Sequence, residues 1–333
     1  MHFFVTGHTG FKGSWLILLL KELGHEVSGY ALEPEPESLF EQAQLNSQLK
    51  NHFIGDIRDL VNLRAALEAS KPDFAIHLAA QPLVLQSYKD PIDTYTTNVD
   101  GTRNFLEAIT GLSNPPVTLV VTTDKVYRDD GKGSYLESDP LGGHDPYSAS
   151  KAMADILTQS WAVTNPSLKV NIARAGNVIG AFDICENRLI PDAIRALAQG
   201  KELVIRNPEA VRPWQHVLDC LYGYVLLLLA SRDGMKLPIA LNFGPDPLSI
   251  RTVDELLTQA SKSNSDLKYR YEESPLGLKE TQLLTLNSSK AQKLLKWKNL
   301  IPFEQAVAMS FAGLSDGSAL AIVQDQIQTY LHD

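Results

Sequence analysis

An α/β fold built on a doubly wound parallel sheet, with a smaller discontinuous α/β domain for substrate, follows from three observations. Short apolar strand candidates alternate with helical stretches through the first half of the chain. A glycine-rich turn, Gly7-x-x-Gly10-x-x-Gly13, joins the first strand candidate to the first helix. Past Arg174 the alternation weakens, and an apolar strand candidate then returns at Ile239 to Phe243. Strands separated by helices need right-handed crossovers, which cover a parallel sheet on both faces.

The elements follow in order. Phe3 to Thr6 is a short buried strand, followed by the glycine turn and an apolar-periodic helix from Trp15 to Leu23 that stops before Gly24. Glu26 to Leu32 and His52 to Ile54 read as the second and third strands, Leu60 to Ala69 as a helix, Phe74 to Leu78 as a strand and Thr97 to Thr110 as a helix. The apolar run Val117 to Val121 leads into Thr122-Thr123-Asp124-Lys125-Val126-Tyr127. Pro191 to Gly200 reads as a helix, Leu203 to Ile205 as a strand and Val217 to Ala230 as a long apolar helix. This Rossmann-type pattern divides the chain into a cofactor domain, 1–173 with 215–244, and a substrate domain, 174–214 with 245–333. Ser288 to Trp297 reads as a capped helix, and a final helix follows Pro302.

Composition narrows the function. A chain of 333 residues, 44% hydrophobic and 21% charged, suits a globular protein with a real core. A formal net charge of -9 and the lack of a Lys/Arg run argue against a nucleic-acid surface. The two cysteines, Cys185 and Cys220, suit a reducing compartment, and no Cys/His spacing suggests a metal site. The N-terminal residues carry no basic segment or cleavage motif, and the longest apolar runs, Trp15 to Leu20 and Val225 to Ala230, are too short to span a bilayer. The expectation is a cytoplasmic protein without metal, nucleic-acid or membrane partner.

The chemistry concentrates between Leu119 and Lys151. In Tyr147-x-x-x-Lys151 the two side chains share a helical face, so a nearby ammonium is expected to lower the phenol's pKa and make Tyr147 a base. The glycines at 7, 10 and 13 would let a pyrophosphate approach the backbone and the open N–H groups of the following helix. No acid closes the second strand, which ends Ala31-Leu32 with Glu33 just beyond, and no arginine stands there for a 2′-phosphate. That leans towards NAD. Asp56 is placed to meet the adenine, or alternatively to cap the helix from Leu60.

Gly7/Gly10/Gly13, Asp56, His77-Leu78-Ala79-Ala80, Asn98 and Tyr147/Lys151, in this order, resemble the extended short-chain dehydrogenase/reductases that act on nucleotide sugars. Within them, Gly7 to Trp15, Ala79 to Val84, Thr123 to Tyr127, Asp139 to Gly143, Arg174 to Gly180 and Arg212 to Asp219 look like the CDP-glucose 4,6-dehydratases. The resemblance extends to about Pro245 and is looser beyond. It implies a lyase that oxidises C4 of a hexose, eliminates water across C5 and C6, and reduces C6 with the same bound NAD.

The resemblance also assigns roles. Tyr147 is the C4 base and Lys151 its partner, Thr123 binds the 4-oxygen, Asp124 is the acid for the 6-hydroxyl and Lys125 the C5 base. A lysine base must be partly neutral, which needs burial or a neighbouring cation. Gly7, Thr9, Gly10, Phe11, Lys12, Gly13, Asp56, Ile57, Leu78, Ala79, Ala80 and Asn98 are implied to hold the cofactor. Gln81, Asn177, Leu189, Ile190 and Arg212 join Thr123 as implied substrate contacts, with Asn177 and Arg212 on the diphosphate. Tyr127 reads as a packing residue and His144 as a loop residue.

Two departures from the group are Leu85-Gln86, where basic residues are usual, and Lys279, where a His usually precedes Glu280. A homodimer or dimer of dimers, through helices near 97–110 and 148–163, is the family's implied assembly. Rival readings are a 4,6-dehydratase or 4-epimerase on another nucleotide sugar, or a cofactor-sensing protein on the same fold. Asp124-Lys125 argues against the epimerase, and the intact Tyr147/Lys151 pair against the sensor.

Overall fold

Strands that lie inside a parallel sheet with helices on both faces must be apolar at nearly every position, and this dictates the runs around Phe3, Leu119 and Ile172. The computed structural model describes residues 1–272, 284–314 and 317–332. Its main sheet contains β1 (His2–Thr6), β2 (Glu26–Ala31), β3 (Asn51–Ile54), β4 (Phe74–His77), β5 (Val117–Thr123), β6 (Val170–Ala175) and β7 (Ala240–Phe243). Their spatial order is β7-β6-β5-β4-β1-β2-β3, and all are parallel. Every residue of β1, β4, β5, β6 and β7 is buried.

The longer helices are α1 (Phe11–Glu22), α2 (Leu60–Ser70), α3 (Gly101–Thr110), α4 (Pro146–Thr164), α5 (Leu189–Ala198), α6 (Val217–Arg232), α7 (Val253–Ser263), α8 (Ser289–Leu295), α9 (Phe303–Ser310) and α10 (Ala319–His332). Alternate residues of a strand point to opposite faces, so β1 feeds two cores. Phe3 and Val5 meet α1, α6 and α10 through Trp15, Leu221 and Val323. Phe4 meets α2, α3 and α4 through Leu67, Phe105 and Leu157. The strand order reverses between β1 and β4, and ligands of such sheets bind in the crevice at that reversal, beyond the carboxyl ends of the strands.

Beyond β6 the chain makes short strand pairs: Leu203–Ile205 parallel to Tyr269–Tyr271, and Val211–Pro213 antiparallel to Ile250–Thr252. Helix α10 returns to the first layer, where the Gln324 amide donates to Glu22 at 3.1 Å. Two local expectations change. The segment 97–110 is not one α-helix: a π-helical turn, Thr96–Asp100, precedes α3. Ser288 precedes α8 without capping it, because its hydroxyl accepts Gly244 N–H at 2.7 Å and ties α8 to the end of β7. Lys279 and Glu280 lie outside the described residues. Among the described residues no helix is long and apolar enough to cross a membrane, and no cluster of His, Cys, Asp and Glu could hold a metal.

Candidate active site

The glycine turn is built by exclusion of side chains. Gly7 has φ +72°, and a Cβ there would stand 2.7 Å from Ala79 N, where the loop after β4 crosses. A Cβ on Gly13 would stand 2.3 Å from the Gly7 carbonyl oxygen and 2.6 Å from His8 Cα. Gly10 begins α1 with no side-chain cap, so the first-turn N–H groups are open to an anion. Thr9 Oγ1 donates to the Leu32 carbonyl at 3.0 Å and fixes the turn against the end of β2. Phe11 packs beside Gly180. This cradle fits the pyrophosphate of a dinucleotide.

The flanking residues are fixed by hydrogen bonds the sequence does not reveal. Asn98, on the π-turn, is buried; its Oδ1 accepts Gln81 N–H at 2.8 Å, and its amide donates to the Gln81 carbonyl and to Ser150 Oγ. It therefore holds the loop Leu78–Ala79–Ala80–Gln81 against α4. Gln81 has no idle side chain: its amide donates to Thr94 Oγ1 at 2.8 Å and its oxygen accepts Leu83 N–H at 2.6 Å. Asp56 is bound by the Arg58 guanidinium, which holds its carboxyl below the usual range. It does not cap the helix from Leu60. Asp59 does, accepting Asn62 N–H at 3.0 Å. Ile57 is buried against Gly101.

The central cluster forms where the end of β5 meets the first turns of α4. Asp145 caps α4 by accepting Ser148 N–H at 2.9 Å, which sets Tyr147 and Lys151 one turn apart on the face towards β5. Thr123 closes β5 with its hydroxyl on Asp124 Oδ1 at 2.8 Å, accepts Lys125 N–H, and lies beside the Tyr147 phenol. Gly176 leaves room for the buried Asp124 carboxylate, since a Cβ there would sit 3.3 Å from Oδ2. Lys125 is half-buried, and among the described residues its ammonium makes no hydrogen bond or ion pair.

The electrostatics differ from expectation. Burial pushes the Tyr147 phenol up to about 12, more than the Thr123 hydrogen bond and the nearby Arg188 cation pull it down; Asp124 also raises it. Lys151 does not point at the phenol. Its ammonium donates to the Val121 carbonyl at 2.9 Å. Burial, and then the charge of Lys12, lower Lys151 to about 8. Lys151 is not among the charges that lower the phenol. The cation acting on it is Arg188, which sequence reasoning passed over; it is anchored to buried Asp183 at 3.0 Å. The available signal was its place directly before Leu189-Ile190-Pro191.

A buried ion pair backs the cluster. Arg174 on β6 grips Asp155 on α4 with Nε and Nη2 at 2.9 and 2.8 Å, and Asp155 also accepts Thr122 Oγ1 and Gln159. Arg174 Nη1 donates to Tyr127 Oη, which donates to Asn242, so Tyr127 is a packing and network residue. The other expected substrate contacts are spread more widely. Asn177 is exposed on the turn after β6, Leu189 is half-buried at the start of α5, and Ile190 is buried in the main core. Arg212 is half-buried on the strand opposite Arg251, and its Nη1 donates to the Val211 carbonyl. His144 is exposed.

The model of the NAD dependent epimerase/dehydratase family matches residues 3–243. The chain belongs to this family. A CDP-glucose 4,6-dehydratase of Salmonella typhimurium is 41% identical over 307 residues, which cover 88% of this chain and 85% of that protein. A dTDP-glucose 4,6-dehydratase of Haemophilus influenzae is 30% identical, covering 92% of this chain and 96% of that one. Among solved structures, a dTDP-glucose 4,6-dehydratase of Bacillus anthracis in complex with NAD superimposes with TM-score 0.80 at 23% identity, covering 97% of this chain and 99% of that one. A UDP-glucuronic acid 4-epimerase of Bacillus cereus gives 0.79 at 24%, covering 94% and 99%. At those identities the likeness establishes the fold.

Proposed function

We propose that the protein is a nucleotide-sugar 4,6-dehydratase that converts CDP-glucose to CDP-4-keto-6-deoxyglucose with NAD as an internally recycled cofactor. The observation that carries the reading is the packing of Thr123, Asp124 and Tyr147 into one buried cluster with Lys125 beside it. A 4-epimerase needs no acid–base pair for elimination, so Asp124-Lys125 favours the dehydratase. The 41% identity to a CDP-glucose 4,6-dehydratase favours CDP-glucose among nucleotide hexoses.

The Gly7–Gly13 cradle, Asp56, Ile57, Asn98 and Lys151 would hold NAD, which when bound supplies the hydride acceptor and donor and a positive ring charge. Tyr147 takes the proton of the sugar 4-hydroxyl while Thr123 hydrogen-bonds the same oxygen. With C4 a ketone, the C5 proton is acidic; Lys125 removes it as Asp124 protonates the departing 6-hydroxyl, and water leaves. Burial pushes the phenol up to about 12, so the phenolate that Tyr147 needs as a base is favoured by positive charge near it, as Arg188 provides and as the ring charge of bound NAD would. Arg188 and Arg212 supply cations to the substrate side, and a guanidinium's forked, permanent charge suits a diphosphate.

The assembly we propose is a homodimer. Met153, Ile156 and Val163 on α4, with Leu85, Tyr88 and Ile92 on the short helices Val84–Lys89 and Pro91–Tyr95, are large apolar residues left exposed on neighbouring elements. The exposed apolar residues of 84–95 thus lie beside the α4 surface that the proposed dimer would use.

Incubation with CDP-glucose, dTDP-glucose, UDP-glucose and GDP-mannose tests the reading. A 4-ketone should form from CDP-glucose without net reduction of added NAD; steady accumulation of NADH would sink the dehydratase assignment. Lys125→Ala should retain slow C4 oxidation but lose elimination. Persistent exchange of the C5 proton with deuterated solvent in that variant would remove Lys125 from its role.

A further inference from the structure

His8 belongs to the glycine turn, yet its ring is fully buried and reaches across the sheet. Val5, Gly29 and His52 stand side by side in one row of β1, β2 and β3. The His8 ring lies over Gly29, where a Cβ would stand 2.2 Å from its Cγ. Because β2 offers no side chain at that place, the ring crosses the strand, and His8 Nε2 meets His52 Nδ1 on the edge strand at 2.8 Å. Phe40, from the short helix Leu39–Gln42, packs against both, its ring centre 5.4 Å from that of His8 and 5.2 Å from that of His52. Nδ1 of His8 is buried beside the Tyr30 carbonyl without closing a hydrogen bond, so His52 is the ring's one polar anchor among the described residues.

The backbone of His8 is also a wall of the cradle. A Cβ on Gly13 would come within 2.6 Å of His8 Cα, so the first turn of α1 is pressed against residues 7 and 8. Gly10 N–H donates to the Gly7 carbonyl at 3.2 Å, and Gly7 N–H to the Tyr30 carbonyl at 2.9 Å. Such a turn binds an anion only while its N–H groups converge on one place, and contacts this close pass any shift of His8 on to the start of α1. We propose that His8 is a positioning residue for the cofactor: anchored to His52 across Gly29, it holds the Gly7–Gly13 turn in the shape that receives the pyrophosphate of NAD. Burial keeps both imidazoles below their ordinary range, His8 at about 3, so the bond joins two neutral rings with one proton between them. The inference rests on the reading of that turn as the NAD site.

The test is calorimetric titration of NAD into the full-length protein, freed of copurified nucleotide, with circular dichroism to confirm folding. His8→Ala and His52→Phe should each weaken NAD binding about tenfold, the effect of one lost buried hydrogen bond. His52→Phe keeps a ring against Phe40, so a role in packing alone would leave its affinity unchanged. His52→Asn puts an amide where Nδ1 stood and should bind within about threefold of the parent. Gly29→Ala drives a Cβ into the ring and should also weaken NAD binding. Added to His8→Ala it should do no further harm, since the atoms nearest that Cβ belong to the ring. Unchanged affinity in His8→Ala or in His52→Phe overturns the proposal, as does a His52→Asn variant no better than His52→Phe. If His8→Ala does not fold, the two His52 variants decide. A parent protein that binds no NAD overturns the assignment of the turn and this inference with it, whereas NAD bound equally by parent and variants overturns this inference alone.

Discussion

Replacing Arg174 by Met isolates the cost of the buried ion pair behind the active cluster. The guanidinium and the Asp155 carboxylate have side-chain exposures of 2% and 0%, so neither partner can turn to water when the other is lost. Arg174→Met leaves the Asp155 carboxylate with only Thr122 and Gln159, and frees the Tyr127 hydroxyl and the Glu137 carbonyl from the same guanidinium. Breaking one partner of such a pair costs about 3–5 kcal/mol. Unfolding entropy of about 2.1 cal/mol/K per residue gives about 0.7 kcal/mol/K for this length, so Tm should fall by about 4–7 °C. Thermal unfolding followed by circular dichroism measures it. Arg174→Met combined with Asp155→Leu removes both charges and should lie nearer the parent than the single variant does. A single variant within about 1 °C of the parent, or a double variant at the sum of the two single losses, would show that the pair is not held as buried charges.

Two further predictions follow from burial. His8, His77 and His216 are each lowered to about 3 by burial, whereas the unfolded chain takes up their protons near 6.5. Asp219, raised to about 6 by burial, acts oppositely because the folded state then holds the extra proton below that pH. The net difference from these groups between pH 4 and 6 is three less one, two protons bound preferentially by the unfolded chain. Stability should therefore fall as the pH drops through that window, by about 2.7 kcal/mol per unit. Urea unfolding at pH 5 and pH 6 reads the slope, and a flat profile would contradict neutral buried histidines. Separately, Ile156→Lys should convert a dimer to a monomer in light scattering after gel filtration, with the helical signal retained. A parent protein that is itself monomeric at micromolar concentration would refute the assembly.

Much of the architecture was legible in the sequence because the forces that write it are local. Continuous apolar runs such as Val117 to Val121 are needed only where both faces of a strand are covered, and the glycine spacing at 7, 10 and 13 answers to backbone contacts a Cβ would fill. The i, i+4 spacing of Tyr147 and Lys151 put both on one helical face, as observed. The residues beyond β6 and the segment before α3 were less legible, since short strand pairs and a π-turn leave no strong period.

What the sequence by itself determined is the inventory and order of the groups: the Gly-rich turn, Thr123-Asp124-Lys125, and the Tyr147/Lys151 pair. Only the tertiary structure decided what state those groups are in. Lys151 bonds the Val121 carbonyl and is opposed by Lys12, Tyr147 is raised by burial and eased by Arg188, and Gln81 is consumed by its own loop. The reason is physical. Spacing along a helix fixes which side chains share a face, but proton affinity depends on desolvation and on charges brought close from α1 and the segment before α5, which meet only when the chain folds.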